Sequence, residues 1–331
     1  MFAGRFADKR KVEILDVPDA ALTVDGTGEI LFQPELTCLC GSDLPFFDGD
    51  FEGHEIEYPS VPGKSLHEMI GTVLETNGTR FSPGVRVLAV PFQQLGFFER
   101  YVLQQDRAIL LDERVPDEEA LLAQPFGTVV WALKKLPNMI DLDVAVVGQG
   151  PIGQMFNAGL RNMGARHIIG VDPLPQRLEA SRAMGATAVV QNDGPDAADA
   201  VMEILDGKLP DVVIEAVGHK AQALNQCIDL CRYGGHILYF GVPPDTIDGI
   251  RWKAGMHKNL TYLTSVHPDF ERTFPLAMQW IAEGRVDLKP LLTHRFGLDD
   301  IQTAFDTFRD RREGAQKVLV EFPALRSRGT H

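Results

Sequence analysis

Two patterns of apolar and polar positions divide the chain. Over the first 110 residues the apolar runs are short, and Gly, Pro and Asn interrupt them. "EILFQPEL", "MIGTVLET", "RVLAVPF" and "FERYVLQ" read as strands joined by turns. "VPDEEALLAQPFGTVVWALKKL" then predicts a helix, with Pro116 early and Asp117, Glu118 and Glu119 at the positive end of its dipole. From residue 141 the pattern changes. The apolar runs "DVAVVG", "HIIGVD", "AVV", "DVVIEAVG", "HILYFGV" and "LTYLTSV" are near-continuous, as strands covered on both faces must be. Helical stretches stand between them, among them "PIGQMFNAGLRNMGA", "PQRLEASRAMGA" and "AQALNQCIDLCRYGG", and "DFERTFPLAMQWIAEG" follows. This alternation predicts an α/β, doubly wound parallel sheet behind a β-rich N-terminal part. The tail from Leu291 to Phe322 reads as a strand, a helix and a last strand.

Composition narrows the function. The 331 residues suffice for two domains, and 44% hydrophobic with 24% charged content is that of a globular protein. A net charge of −14 disfavours nucleic acid and anionic membrane as partners, since both select a basic surface. No apolar run reaches the length of a membrane span, and "MFAGRFADKRKVEIL" has no secretory h-region, so a cytoplasmic protein is expected. The four cysteines, Cys38, Cys40, Cys227 and Cys231, are too few for a disulfide scaffold. Cys227 and Cys231 sit at i, i+4 among apolar neighbours and read as core.

"VAVVGQGPIGQM" supplies Gly148-x-Gly150-x-x-Gly153 directly after an apolar strand and at the opening of a helix. In that context Gly148 permits the turn, Gly150 lets the backbone approach a pyrophosphate, and Gly153 lets helix and strand pack closely. The free N–H groups of the helix start then bind the phosphates. Asp172 ends the next strand, 19 positions after Gly153 (153 to 172), where a carboxylate accepts a ribose diol and repels a 2′-phosphate. NAD is therefore the expected cofactor. Arg177, a helical turn further on, is read as facing solvent at the edge of this site. Pro151 and Ile152 in the loop, with Val217 and Val242 after later strands, complete the candidate cofactor residues.

"CLCGSDLPFF" followed by "HEMIGTV" and then the glycine loop resembles the medium-chain zinc-dependent dehydrogenases, the alcohol and polyol (sorbitol-type) family, along almost the whole chain. "FSPGVRVLAV", "GGHILYFGV" and "GAQKVLV" add to the likeness. The resemblance implies a GroES-like β-barrel catalytic domain (1–126 and 290–331) and a Rossmann cofactor domain (127–289). It implies one catalytic zinc on Cys40, His67 and Glu68, with Ser42 relaying the substrate proton and Asp43 orienting the histidine. It also implies a homodimer or homotetramer, with the apolar edge strand "LTYLTSV" covered by a partner.

Two His-Glu pairs compete for the metal. His67-Glu68 matches His-Glu-x-x-Gly-x-Val and lies 27 positions after Cys40 (40 to 67). His54-Glu55 lies only 14 positions after it (40 to 54) and reads as an exposed loop. The chain also departs from the family pattern. Leu66 stands where the family has Gly, and "KSL" looks like an insertion. Gln124 takes the place of an anionic third ligand and is kept as a metal candidate. Pro45 replaces a histidine that ends the proton relay, leaving His54 as a substitute. The cysteine-rich lobe for a structural zinc is missing, with "QQLG" in its place.

The reading is reversible, NAD-dependent oxidation of a small secondary alcohol or polyol to a ketone. A zinc-free NAD(P)H-dependent reductase of the same superfamily and a non-catalytic dinucleotide-binding protein are the alternatives. Phe46, Phe47, Phe92, Phe97, Phe98 and Trp131 read as core before they read as a substrate pocket.

Overall fold

The computed structural model describes residues 1–51, 54–192, 194, 196–218 and 221–323. The chain divides into two units, Met1–Gln124 with Leu291–His331, and Pro125–Pro290. Among the described residues no helix is long and apolar enough to cross a membrane.

In the first unit, strand Glu29–Cys38 is central. Glu68–Thr76 and Tyr101–Gln104 pair with it antiparallel, and the C-terminal strand Lys317–Glu321 joins near its end. The sheet runs from Leu292–Gly297 through Lys317–Glu321, Glu29–Cys38, Glu68–Thr76 and Arg86–Ala89 to Ala108–Leu110. Its register sets Cys38 opposite both Glu68 and Leu319. Cys40, His67 and Lys317 thus come to one end of the same three strands, although 249 positions separate Glu68 from Lys317. The strands approach closely where Pro34 faces Gly71, since a Cβ on Gly71 would lie 2.0 Å from the Gln33 carbonyl oxygen. Only glycine fits there. Phe6, Phe47 and Phe305 pack ring on ring beneath the sheet, and Phe97 is equally buried. Phe47 and Phe97 are core, whereas Phe92 is 71% exposed.

The second unit holds a six-stranded parallel sheet. Its order is Ala188–Gln191, His167–Asp172, Asp143–Val147, Val212–Glu215, His236–Tyr239, Thr261–Thr264. Numbered along the chain this is 3-2-1-4-5-6, which reverses direction beside Asp143–Val147. Ligands of such sheets bind at the carboxyl ends of the strands flanking that reversal. Thr261–Thr264 forms one edge. Cys227 and Cys231 are fully buried, as their neighbours predict.

The helices differ in detail from the pattern. Leu44–Asp48, Ala197–Ile204 and Trp252–His257 are helices that the sequence reading did not pick out. The single helix expected after Pro116 is two, Asp117–Leu121 and Ala123–Leu133. Pro125 has no N–H to donate to Leu121, so the ladder breaks at Leu122, whose N–H closes a tight turn onto Glu119.

Candidate functional site

The first candidate centre lies at the end of the Glu29–Cys38 strand. The chain leaves it through a short helical turn, Gly41–Asp43, in which the Asp43 N–H donates to the Cys40 carbonyl. In return the Cys40 N–H donates to Asp43 Oδ2 (2.8 Å). Asp43 is fully buried, and its other oxygen accepts the Ser65 hydroxyl and the Leu66 N–H (3.2 Å). The segment "KSL" therefore supplies two of the donors that hold this carboxylate. Leu66, where the resemblance implies glycine, is fully buried with a left-handed backbone, φ 62°.

Asp43 Oδ1 lies 3.5 Å from His67 Nδ1, while His67 Nε2 lies 3.4 Å from Ser42 Oγ. The side chain of His67 is 12% exposed. Burial works against charge on this ring, but the Asp43 carboxylate and the Cys40 sulfur hold its pKa well above the ordinary value. Asp43 shifts the other way. Burial would raise it, and His67, Ser65 and the Cys40 N–H outweigh that and lower it.

Ligand atoms of Cys40, His67 and Glu68 all lie within 4.8 Å of one another. A thiolate, an imidazole and a carboxylate at that spacing are a donor set that fits zinc. A metal on Nε2 leaves the proton on Nδ1, the buried atom that has no hydrogen-bond partner and faces Asp43. The donor set therefore fits the ion that the resemblance implies.

Glu68 has a second commitment. Lys317 Nζ donates to both its oxygens, at 2.6 and 2.7 Å, with Leu39 O at 3.5 Å. Burial opposes the charge on Lys317, and Glu68 restores it and raises its pKa above the ordinary value. A carboxylate has about four lone-pair sites, so the pair leaves Glu68 able to face a metal as well. The sequence reading did not single out Lys317, although it is the one charge inside the apolar run "KVLV". Gln124 is buried near the start of the Ala123–Leu133 helix. His54 is exposed in a two-residue strand facing Asp50–Phe51.

The second candidate centre is the glycine loop of the other unit. Gly148 has φ 92°, and a Cβ on Gly153 would lie 1.8 Å from Gly148 O. Gly150 caps the helix Pro151–Asn162 in extended backbone, and Pro151 opens it. The loop is fixed from within by the buried Gln149 side chain. Its Nε2 donates to Val146 O (2.8 Å), and its Oε1 accepts Asn157 Nδ2 (2.7 Å) and Ser181 Oγ (2.8 Å). None of these three was predicted.

Asp172 is 2% exposed, turned inward more than a purely ribose-facing residue requires. Its Oδ2 accepts the Gln149 N–H (2.8 Å) and its Oδ1 the Leu174 N–H (2.9 Å). Arg177 does not simply face solvent. It reaches back to Asp172 Oδ2 at 3.2 Å and lies over the α-carbon of Gly150, within 3.8 Å of a Cβ built there. Two strands further on, Glu215 is fully buried, and its carboxylate accepts N–H groups from Val217 (2.9 Å), Gly218 (2.8 Å) and Gly241 (3.1 Å). It ties together the loops that present Val217 and Val242, which are 40% and 52% exposed.

Two family models match the chain, an alcohol dehydrogenase GroES-like domain over residues 26–110 and a zinc-binding dehydrogenase over 151–283. L-threonine 3-dehydrogenase of Aeromonas hydrophila subsp. hydrophila is 30% identical, over 93% of this chain and 95% of the relative. Among solved structures, alcohol dehydrogenase TADH from Thermus sp. ATN1 superposes with a TM-score of 0.84 at 24% identity, covering 98% of this chain and 100% of its own. The 2R,3R-butanediol dehydrogenase of Bacillus subtilis gives 0.82 at 21% identity, over 98% and 99%. The fold shared with both is a GroES-like unit with a Rossmann-like parallel sheet.

Proposed function

Because the chain belongs to the medium-chain zinc-dependent dehydrogenases, we propose that it oxidises a secondary alcohol or polyol to a ketone, reversibly, with NAD as hydride acceptor and one catalytic zinc. The observation that carries this reading is the convergence of Cys40, His67 and Glu68 within 4.8 Å. These three would hold the ion, with Gln124 a further candidate. Zinc bound there would lower the pKa of the substrate hydroxyl.

The chain's own residues do the rest. Asp43 fixes the ring of His67 and its tautomer. Ser42, half-buried and beside His67 Nε2, takes the hydroxyl proton and passes it outward. The proton's onward path does not run through position 45, which is proline. In the other unit the N–H groups at the start of Pro151–Asn162 take the pyrophosphate, with Ile152 in that first turn. Asp172 and Arg177 face the adenosine ribose, and Val217 and Val242 flank the nicotinamide. The relative named L-threonine 3-dehydrogenase supports a secondary hydroxyl as the reacting group. A homodimer or homotetramer through Thr261–Thr264 and a cytoplasmic site of action belong to the same proposal.

Lys317 favours a second reading, a zinc-free reductase, because it already neutralises Glu68. Metal analysis after purification without added metal, beside NADH formation from a panel of alcohols, separates the two. One zinc per chain with alcohol-dependent NADH formation is expected. Full activity at substoichiometric zinc would decide for the second.

A further inference from the structure

The tripeptide Lys64–Leu66 that braces Asp43 also carries Lys64, which the dehydrogenase reading leaves without a task. Its side chain lines an open cavity of about 570 Å³, together with Phe46, Ile56, Ser60, Gln93 and Leu95. Cys40, His67 and Glu68 do not line this cavity, but two of its lining residues, Phe46 and Lys64, stand close in the chain to residues that brace that centre. Phe46 lies on the helix Leu44–Asp48, which directly follows Ser42 and Asp43. Ser65, next to Lys64, donates to Asp43 and is bridged to Leu95.

Lys64 Nζ donates to the Gln93 carbonyl (3.0 Å) and stands 4.0 Å from the centre of the Phe46 ring. These contacts hold the amine in place but do not neutralise it. Among the described residues no carboxylate forms an ion pair with it, although most arginines of the chain are paired. An ammonium has three donors, and one is used. Burial is already sufficient to lower its pKa. The buried Asp43 carboxylate acts on it only through space, and a half-desolvated cation with no carboxylate in ion-pair contact favours an incoming anion, which would recover the lost solvation. Glu57, exposed at the rim, is the one acid among the described residues lining the cavity, and it suits a substrate that also carries an ammonium.

We propose that Lys64 is a specificity-determining residue that binds an anionic group of the substrate, so that the alcohol oxidised carries a carboxylate or a phosphate. This rests on the dehydrogenase reading. The full chain, loaded with zinc, is assayed with NAD on four secondary alcohols: 2,3-butanediol (neutral), 3-hydroxybutyrate (carboxylate), L-threonine (zwitterion) and glycerol 3-phosphate (phosphate). At least one charged probe should exceed the diol in kcat/KM. Lys64→Met should lower that preference about 10- to 50-fold, as loss of a hydrogen bond to a charged group does. Lys64→Arg should restore most of it. Which charged probe leads decides between carboxylate and phosphate. Preference for the diol, or equal losses on charged and neutral probes, overturns the inference and leaves the dehydrogenase reading standing. If no probe is oxidised, that reading fails instead. Calorimetric titration of the three charged probes in the presence of NADH then decides for Lys64, upheld by binding that Lys64→Met abolishes and overturned by its absence.

Discussion

Lys317 Nζ sits between the two oxygens of Glu68, and neither side chain is more than 3% exposed. The last strand of the chain is thereby bonded, charge to charge, to the residue that follows His67. A buried charge is tolerated only when paired, so removing one partner strands the other. Lys317→Met should destabilise the metal-free chain by about 3–5 kcal/mol, and Lys317→Met with Glu68→Leu should recover most of that loss. Urea unfolding of the four chains closes the cycle. A single variant within about 1 kcal/mol of the parent, the size of an exposed pair, would show that water reaches the site.

The proton on His67 gives a pH signature. In the metal-free chain its pKa stands well above the ordinary 6.5. The protonated ring thus contributes stability that is complete below 6.5 and is lost as pH rises through the raised value. Zinc takes the neutral ring, so its affinity should run oppositely, rising through the same window with release of a proton. Calorimetric zinc titration in two buffers of different ionisation enthalpy counts that proton, and His67→Asn should lower the count. An equal count in both proteins would assign the proton elsewhere, with Cys40 the remaining candidate.

The architecture was legible because its signals are periodic or local. Apolar runs of strand length separated by helices dictate a parallel sheet, and Gly148, Gly150 and Gly153 mark the loop by steric need alone. The Cys40–His67 pairing was legible through the resemblance to the family motif, and the fold brings the two side chains together, while His54 lies exposed in a short strand. What was missed acts through tertiary contact. Lys317 meets Glu68 only because Leu319 and Glu68 both register against Cys38. Gln149 and Glu215 are polar residues that serve the backbone of loops, and no periodicity marks them. Their one visible trait is polarity at the end of an otherwise apolar run. The inward turn of Asp172 escaped for a related reason, since sequence shows that a carboxylate is present but not which N–H groups occupy it.

That inward turn changes what replacement of Asp172 should do. Its carboxylate orders the glycine loop through the Gln149 N–H, in addition to the contact with the ribose that the proposed function gives it. Asp172→Ser should therefore weaken NAD binding about tenfold, the worth of one charge-assisted hydrogen bond, without an equal gain for the 2′-phosphorylated cofactor. Fluorescence titration with NADH and NADPH reads both constants. A clean exchange of preference, with the sum of affinities conserved, would mean that the loop needs no such brace.

Glu215 holds its two loops by accepting three backbone N–H groups on one carboxylate. An isosteric amide cannot do the same, because one of its two heads is a donor facing donors. Glu215→Gln should then cost about 1–3 kcal/mol for the N–H groups left unsatisfied. It should also free the segments carrying Val217 and Val242 from each other. If those segments form one wall of the nicotinamide site, the dissociation constant for NADH should rise by about tenfold, equivalent to 1.4 kcal/mol of lost pre-organisation. Chemical unfolding and NADH fluorescence on the same protein separate the effects. Lower stability with an unchanged NADH constant would restrict Glu215 to supporting the sheet, whereas a raised constant at a temperature where the variant remains folded would make it a positioning residue for the cofactor.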